Sequence, residues 1–137
     1  MNAPMRRAAD ADVVEVRIPA KAEWVAVARL AVAAVASRLD FSVEDIEDVK
    51  LAIAEACTIC IRRSSDGDQL SIVCEAASAG LRLTVTAHAA SQRPLAVVHP
   101  DDRLALVIVE SLMDGVNLST DVGAPSVEMT KRVAAAE

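Results

Sequence analysis

Near the N-terminus, Val13-Val14-Glu15-Val16-Arg17-Ile18 alternates apolar and charged positions and stops at Pro19, the pattern of an antiparallel strand. From Ala20 to Leu39 the apolar spacing lengthens to that of a helix, and Trp24, Val27, Leu30, Ala31, Ala34 and Val35 can share one face. Asp40-Phe41 closes the segment. Ser42 has the character of an N-cap, and Glu44 and Asp45 complement the positive end of a second helix. That helix turns Ile46, Val49, Ile53, Cys57 and Cys60 inward and runs to about Arg63, where Arg62 and Arg63 suit its negative end. After the turn cluster Ser64-Ser65-Asp66-Gly67-Asp68, strands over Gln69–Glu75 and Leu81–Ala87 form a hairpin through Ser78-Ala79-Gly80. Ala89 to Pro100 reads as polar and irregular. Asp101-Asp102 opens a third helix that reaches about Met113 and ends at Asp114-Gly115. Val116–Thr120 and Ser126–Val133 are the last strands, with a turn around Asp121 to Pro125.

The order β-α-α-β-β-α-β-β implies an α/β two-layer sandwich, with a mixed, mostly antiparallel sheet and helices on one face. Residues 13–133 form one domain in this reading, with a disordered leader over 1–12 and a frayed tail over 134–137. Neither an internal repeat nor a linker divides the chain.

Composition narrows the function classes. Apolar residues make up 53% of the 137, yet Trp24 and Phe41 are the sole aromatics, so the core is built from Ala, Val, Leu and Ile. Sites that stack bases on aromatic rings are disfavoured. The net charge of −6, with basic residues scattered apart from the pairs Arg6-Arg7, Arg62-Arg63 and Lys131-Arg132, argues against direct nucleic-acid binding. Charges break every apolar stretch well before membrane-spanning length. The leader lacks the apolar core of a secretory signal. Three cysteines, an odd number, then point to reduced thiols in a cytoplasmic setting.

The stretch Leu51-Ala-Ile-Ala-Glu-Ala-Cys-Thr-Ile-Cys-Ile61 contains a single charge, Glu55. A carboxylate there is either on the exposed stripe of the helix, two turns after Asp48, or a general base at the edge of a pocket. Glu55-Ala56-Cys57-Thr58 resembles the N-box of the GHKL (Bergerat-fold) ATPase superfamily, in the branch of the anti-sigma factor/serine-protein kinases, whose segment reads Glu-Ala-x-Thr-Asn. Leu112-Met113-Asp114-Gly115-Val116 is similar to the Leu-Met-Asp-Glu-Val segment that closes that family's third helix. Gly123 and Val127-Glu-Met-Thr-Lys131 resemble its final strand. These segments fall in family order between Val13 and Val133.

The departures concern the nucleotide site. The Asn that binds Mg²⁺ in the family is Ile59 here, and a hard cation needs oxygen ligands. The adenine-binding Asp of the next box aligns with Ala87, and the glycines that follow it are absent. Two glycine positions at the start of the third helix, where backbone N–H groups hold phosphates, fall on Arg103 and Ala105. Asp101 and Asp102 just before them would repel a triphosphate. Among these site residues Glu55 alone keeps its family identity, as general base or relic.

Other constellations are weaker. Cys57-Thr-Ile-Cys60 is formally C-x-x-C, but it lies toward a helix C-terminus, which points to core packing rather than redox chemistry. Cys74, His88 and His99 lack zinc-ligand spacing. His88 reads as a satisfied strand-end histidine and His99 as a solvated loop residue. Ser91 and Ser111 have no His/Asp arrangement nearby. The acidic run Glu44 to Asp48 reads as a solvated helix start.

The resemblance implies a partner-switching regulator that acts by protein binding, with two kinds of partner: a sigma factor or similar target, and a small STAS-domain antagonist. It also implies a homodimer formed through the first helix and nearby sheet, compatible with the apolar richness of Lys21 to Leu39. The motif losses imply no nucleotide cofactor. The competing expectation is an active kinase that uses ATP and Mg²⁺ to phosphorylate the antagonist.

Overall fold

The computed structural model describes residues 10–90, 101–119 and 125–134. Its elements are β1 (Asp12–Pro19), a single 3₁₀ turn (Ala22–Trp24), α1 (Val25–Ala36), α2 (Val43–Arg62), β2 (Gln69–Ala77), β3 (Gly80–His88), α3 (Asp102–Leu112), β4 (Gly115–Ser119) and β5 (Ser126–Arg132). The strands form one five-stranded sheet in the order β1-β2-β3-β5-β4, and every described pair is antiparallel. The sheet therefore contains no parallel pair among the described residues.

Register explains the two layers. Val16, Ile72, Val85 and Val127 stand opposite one another across four strands, as do Cys74, Leu83, Met129 and Val116. Because strand side chains alternate, these rows face one side, where they join the core residues of α1, α2 and α3. The opposite rows, such as Glu15, Val73, Thr84, Glu128 and Asn117, are mostly polar. Helices thus cover one face only, as the element order implied.

The first helix is shorter than its apolar pattern suggested. At its start, Ala20 N–H donates to the Asp68 carbonyl at 3.0 Å, which ties the end of β1 to the loop before β2. At its end, Arg38 and Leu39 N–H groups bond carbonyls three residues back, tightening the chain out of α geometry. Its buried face also differs from expectation. Ala28, Val32 and Ala36 point into the core, whereas Trp24, Val27 and Leu30 are 43%, 40% and 70% exposed. Two adjacent apolar stripes compete on this helix, and the stripe of small residues takes the inner position, where helix and sheet can approach closely.

The second helix matches its sequence signals. Ser42 Oγ accepts from Asp45 N–H at 3.0 Å, and Asp45 returns the bond to Ser42 N–H at 3.2 Å, a complete capping box. Val49, Ile53, Cys57 and Cys60 are all fully buried. The C-terminal part of the fold is held by Lys131 on β5. Its ammonium donates to the Leu112 carbonyl at the end of α3 (2.7 Å) and lies 3.7 Å from Asp48 and 3.9 Å from Asp45 on α2. One cation therefore joins two helices to the sheet. Of the leader expected over residues 1–12, residues 1–9 lie outside the described residues, and Asp12 already belongs to β1.

Candidate functional site

Helical spacing puts Glu55, Ile59, Arg62 and Arg63 along one side of α2, since residues four, seven and eight apart lie on neighbouring rows. Cys60 on the same helix turns its thiol toward the Val85 carbonyl of β3 at 3.9 Å. Arg62 and Arg63 reach the first turn of α3. The site therefore lies where the C-terminal half of α2, the end of β3 and the start of α3 meet.

The sequence-derived positions take different places in this junction. Glu55 is half-buried and makes no side-chain hydrogen bond or ion pair among the described residues. Ile59 and Ala87 are fully buried and Ala105 is 3% exposed, all three in the continuous apolar core. Ala87 N–H also donates to the Pro125 carbonyl at 3.1 Å. Arg103 is exposed on α3.

The most charged feature of the junction was not legible in the sequence. Asp102, read there as part of the acidic pair that opens the third helix, is completely buried. Its carboxylate accepts from Arg62 Nη1 at 2.9 Å and lies 3.6 Å from Arg63 Nη2. Arg63 itself is 3% exposed, and its Nε and Nη2 have no hydrogen-bond partner among the described residues. The two arginines expected to cap α2 thus reach across to α3. Asp101, at the N-cap position, makes no side-chain cap bond.

Burial decides the state of the cysteines nearby. Removal from water pushes the Cys57 thiol up from 9.0 to about 12, with the neighbouring Cys60 adding to the rise. The same desolvation pushes Cys60 to about 12, opposed by the Arg63 charge and reinforced by Asp102. Both are protonated packing groups, far from the thiolate a redox pair requires. His88, at the end of β3, shares a 3.2 Å contact between Nε2 and Ser71 Oγ on the open face of the sheet. Ser111 donates to the Ile108 carbonyl at 2.6 Å. Ser91, His99, Gly123 and most of the expected irregular stretch from Ala89 to Pro100 lie outside the described residues. Among the described residues, no three His, Cys, Asp or Glu side chains are grouped to hold a metal, and no helix is long and apolar enough to cross a membrane.

The donor set for Mg²⁺-ATP does not fit here in the form the resemblance describes. Position 59 offers a buried hydrocarbon where a metal ligand is needed, Ala87 offers a methyl where adenine would be read, and the first turn of α3 already holds a carboxylate.

Comparison with known proteins agrees with the architecture. The sequence pattern of the histidine kinase-like ATPase domain matches residues 18–131. Serine-protein kinase RsbW from Bacillus thuringiensis (strain Al Hakam) is 34% identical over 137 residues, covering 88% of this chain and 84% of the relative. RsbW from Bacillus cereus (strain G9842) is 35% identical over 136 residues with the same coverage. In three dimensions, the crystal structure of the RsbU and RsbW domains of Rv1364c from Mycobacterium tuberculosis superposes with a TM-score of 0.68 at 15% identity. That match covers 88% of this chain and 32% of the longer one, and it speaks for the fold. On sequence and architecture together, this chain belongs to the histidine kinase-like ATPase domain family, among the relatives of the serine-protein kinase RsbW.

Proposed function

We propose that this chain is an anti-sigma-factor-like, partner-switching regulator that works by binding proteins, with little or no nucleotide binding. It would occlude a sigma factor or similar target until a STAS-domain antagonist displaces it, in the cytoplasm. The observation that carries the nucleotide part of this reading is the complete burial of Ile59 within the core, beside a first turn of α3 that holds its own buried carboxylate. Phosphoryl transfer depends on a metal and on backbone groups positioned around phosphates. Neither is provided by the groups at these positions.

A homodimer belongs to the same reading. The outer stripe of α1, with Leu30 at 70% exposure, and the edge strand β1, with Val13 and Val14 exposed, lie on neighbouring elements. An apolar groove lined by Val14, Ala34, Val35 and Ala76, with Asp12 and Arg38 at its rim, runs between them. A helix apolar on two sides is suited to burial on both.

A second reading has its own support. Glu55 is retained, half-buried on α2, and the relatives at 34–35% identity are named serine-protein kinases. In that case Glu55 is the general base of an ATP-dependent serine kinase acting on the antagonist. Calorimetric titration with ATP and ADP, each with and without Mg²⁺, decides between the two. The absence of binding heat, together with complex formation with a STAS-domain protein, is the expected result. Micromolar, Mg²⁺-dependent binding would overturn it and make Glu55→Ala kinase assays the next step.

A further inference from the structure

The helical layer carries a second apolar surface, apart from the α1 stripe. Leu51 on α2 is 52% exposed, and Leu104 and Val107 on α3 are 69% and 59% exposed. Leu104 and Val107 are three residues apart, so they share one face of α3. The two helices run antiparallel and are pinned at both ends. Arg62 meets Asp102 at 2.9 Å at one end, and Lys131 joins Asp48 to the Leu112 carbonyl at the other. Leu51 consequently stands level with the last turns of α3, and Val107 with the middle of α2. Because α2 packs against both α1 and α3, this surface is distinct from the groove between α1 and β1. Grouped aliphatic side chains in water mark an interaction surface, whereas single ones do not.

The charges on the same two helices select the partner. Glu44 and Glu47 on α2 and Glu110 on α3 are exposed, and Glu55 is half-buried. Of the cations, Lys50 is drawn to Glu47 at 3.2 Å and Arg62 to the buried Asp102, while Arg103 is exposed on α3. Carboxylates therefore dominate the rim. A nucleic acid or an anionic membrane selects the opposite sign. A helix with an apolar face and Lys or Arg beside it fits both the anchors and the rim.

We infer that the outer surface of the α2–α3 pair is a docking face for a basic, amphipathic helix of a partner protein. Leu51, Leu104 and Val107 are its apolar anchors, and the glutamates form its rim. This deepens the reading of a regulator that works by binding proteins, and rests on it. The anchors supply affinity by leaving water, and the glutamates set which partners are admitted.

The test uses the full chain as wild type, Leu104→Ser/Val107→Ser, Leu51→Ser and Glu47→Lys/Glu110→Lys, each checked by circular dichroism. The probe is a labelled synthetic helix of about five turns, with Leu on one face and Lys on the other, followed by fluorescence anisotropy. Its counterpart carries Glu in place of Lys. The wild type should bind the Leu/Lys helix and leave the Leu/Glu helix free. Loss of two anchors should weaken binding roughly tenfold or more, and reversal of two glutamates by a similar factor. Should the double serine variant be unfolded, Leu51→Ser probes the same face from α2 and should also bind more weakly. No binding to the Leu/Lys helix would overturn the inference. So would equal affinity in wild type and the folded serine variants, which assigns binding to overall acidity, or equal affinity for both peptides. Binding to phosphatidylcholine vesicles that disappears in Leu104→Ser/Val107→Ser assigns the face to lipid and equally sinks it. The two readings fail separately. A wild type that forms a complex with a STAS-domain protein but leaves the Leu/Lys helix free removes only the docking face. Anchor-dependent binding of that helix, with micromolar Mg²⁺-ATP binding by the same chain, removes only the nucleotide-independent regulator.

Discussion

Replacing Ile59 with Asn brings the residue type of the family pattern into a fully buried position. The side chain is completely buried in the core between α2 and its neighbours. Burial of an isoleucine contributes about 2 kcal/mol. An amide left there without partners costs about 1–3 kcal/mol more. Ile59→Asn should therefore lose about 3–5 kcal/mol, a large part of the ~5–15 kcal/mol typical of whole domains. At ~3–4 °C per kcal/mol for a chain of this size, the melting temperature falls by roughly 10–20 °C. Ile59→Val, which removes one methylene, is the control and should cost about 1 kcal/mol. Urea titration followed by circular dichroism is the suitable assay, because Trp24 is 43% exposed and reports poorly on the core. A loss below about 1 kcal/mol for Ile59→Asn would refute the closed-core argument. So would recovery of the loss on adding Mg²⁺-ATP, since a ligand at a hundred times its Kd returns about 2.7 kcal/mol.

Three further outcomes follow from the packing. Cys57 and Cys60 should be silent toward a thiol reagent at pH 8 in the folded chain and react fully in urea, read by the absorbance of the released chromophore. Because folding raises both thiols from 9.0 to about 12, the unfolded chain releases its protons first. Their contribution to stability is complete below pH 9.0 and disappears as pH climbs toward 12, which denaturant midpoints across that range will show. Lys131→Met should cost about 1–3 kcal/mol in urea unfolding, since the Leu112 carbonyl loses its 2.7 Å donor and Asp45 and Asp48 lose their nearby cation. Faster amide exchange at the end of α3 would accompany that loss.

Local chemistry made much of the fold readable. Ser42 and Asp45 signalled the start of α2 because a capping box is a contact between residues three apart. The alternation in β1 and the hairpin of β2 and β3 are equally local. The inner face of α1 was not readable, because Val27 and Leu30 offer as much apolar bulk as Ala28 and Val32, and only the neighbouring layers decide between the stripes. At the candidate site, the departures at Ile59 and Ala87 could be seen in the sequence, and the structure places both in the core. Asp102 could not be placed. Its partners lie forty residues earlier in the chain, and a run of two aspartates before a helix looks identical whether it faces water or two arginines.

The strand order has a consequence for how the chain acquires its shape. The β2–β3 hairpin is the one pairing in the sheet's centre that needs no long excursion, and hairpins form in about 1–10 μs. On one side, β1 can join it only after the segment 20–68 has closed; on the other, β5 joins only after 89–125 has closed. Closure entropy grows with the logarithm of length, so these excursions of roughly fifty and forty residues differ by only about 0.2 kcal/mol. Neither arm has an entropic lead. Folding should therefore proceed from a shared central nucleus along two routes of similar weight, with the helices of each arm, rather than its length, setting which docks first.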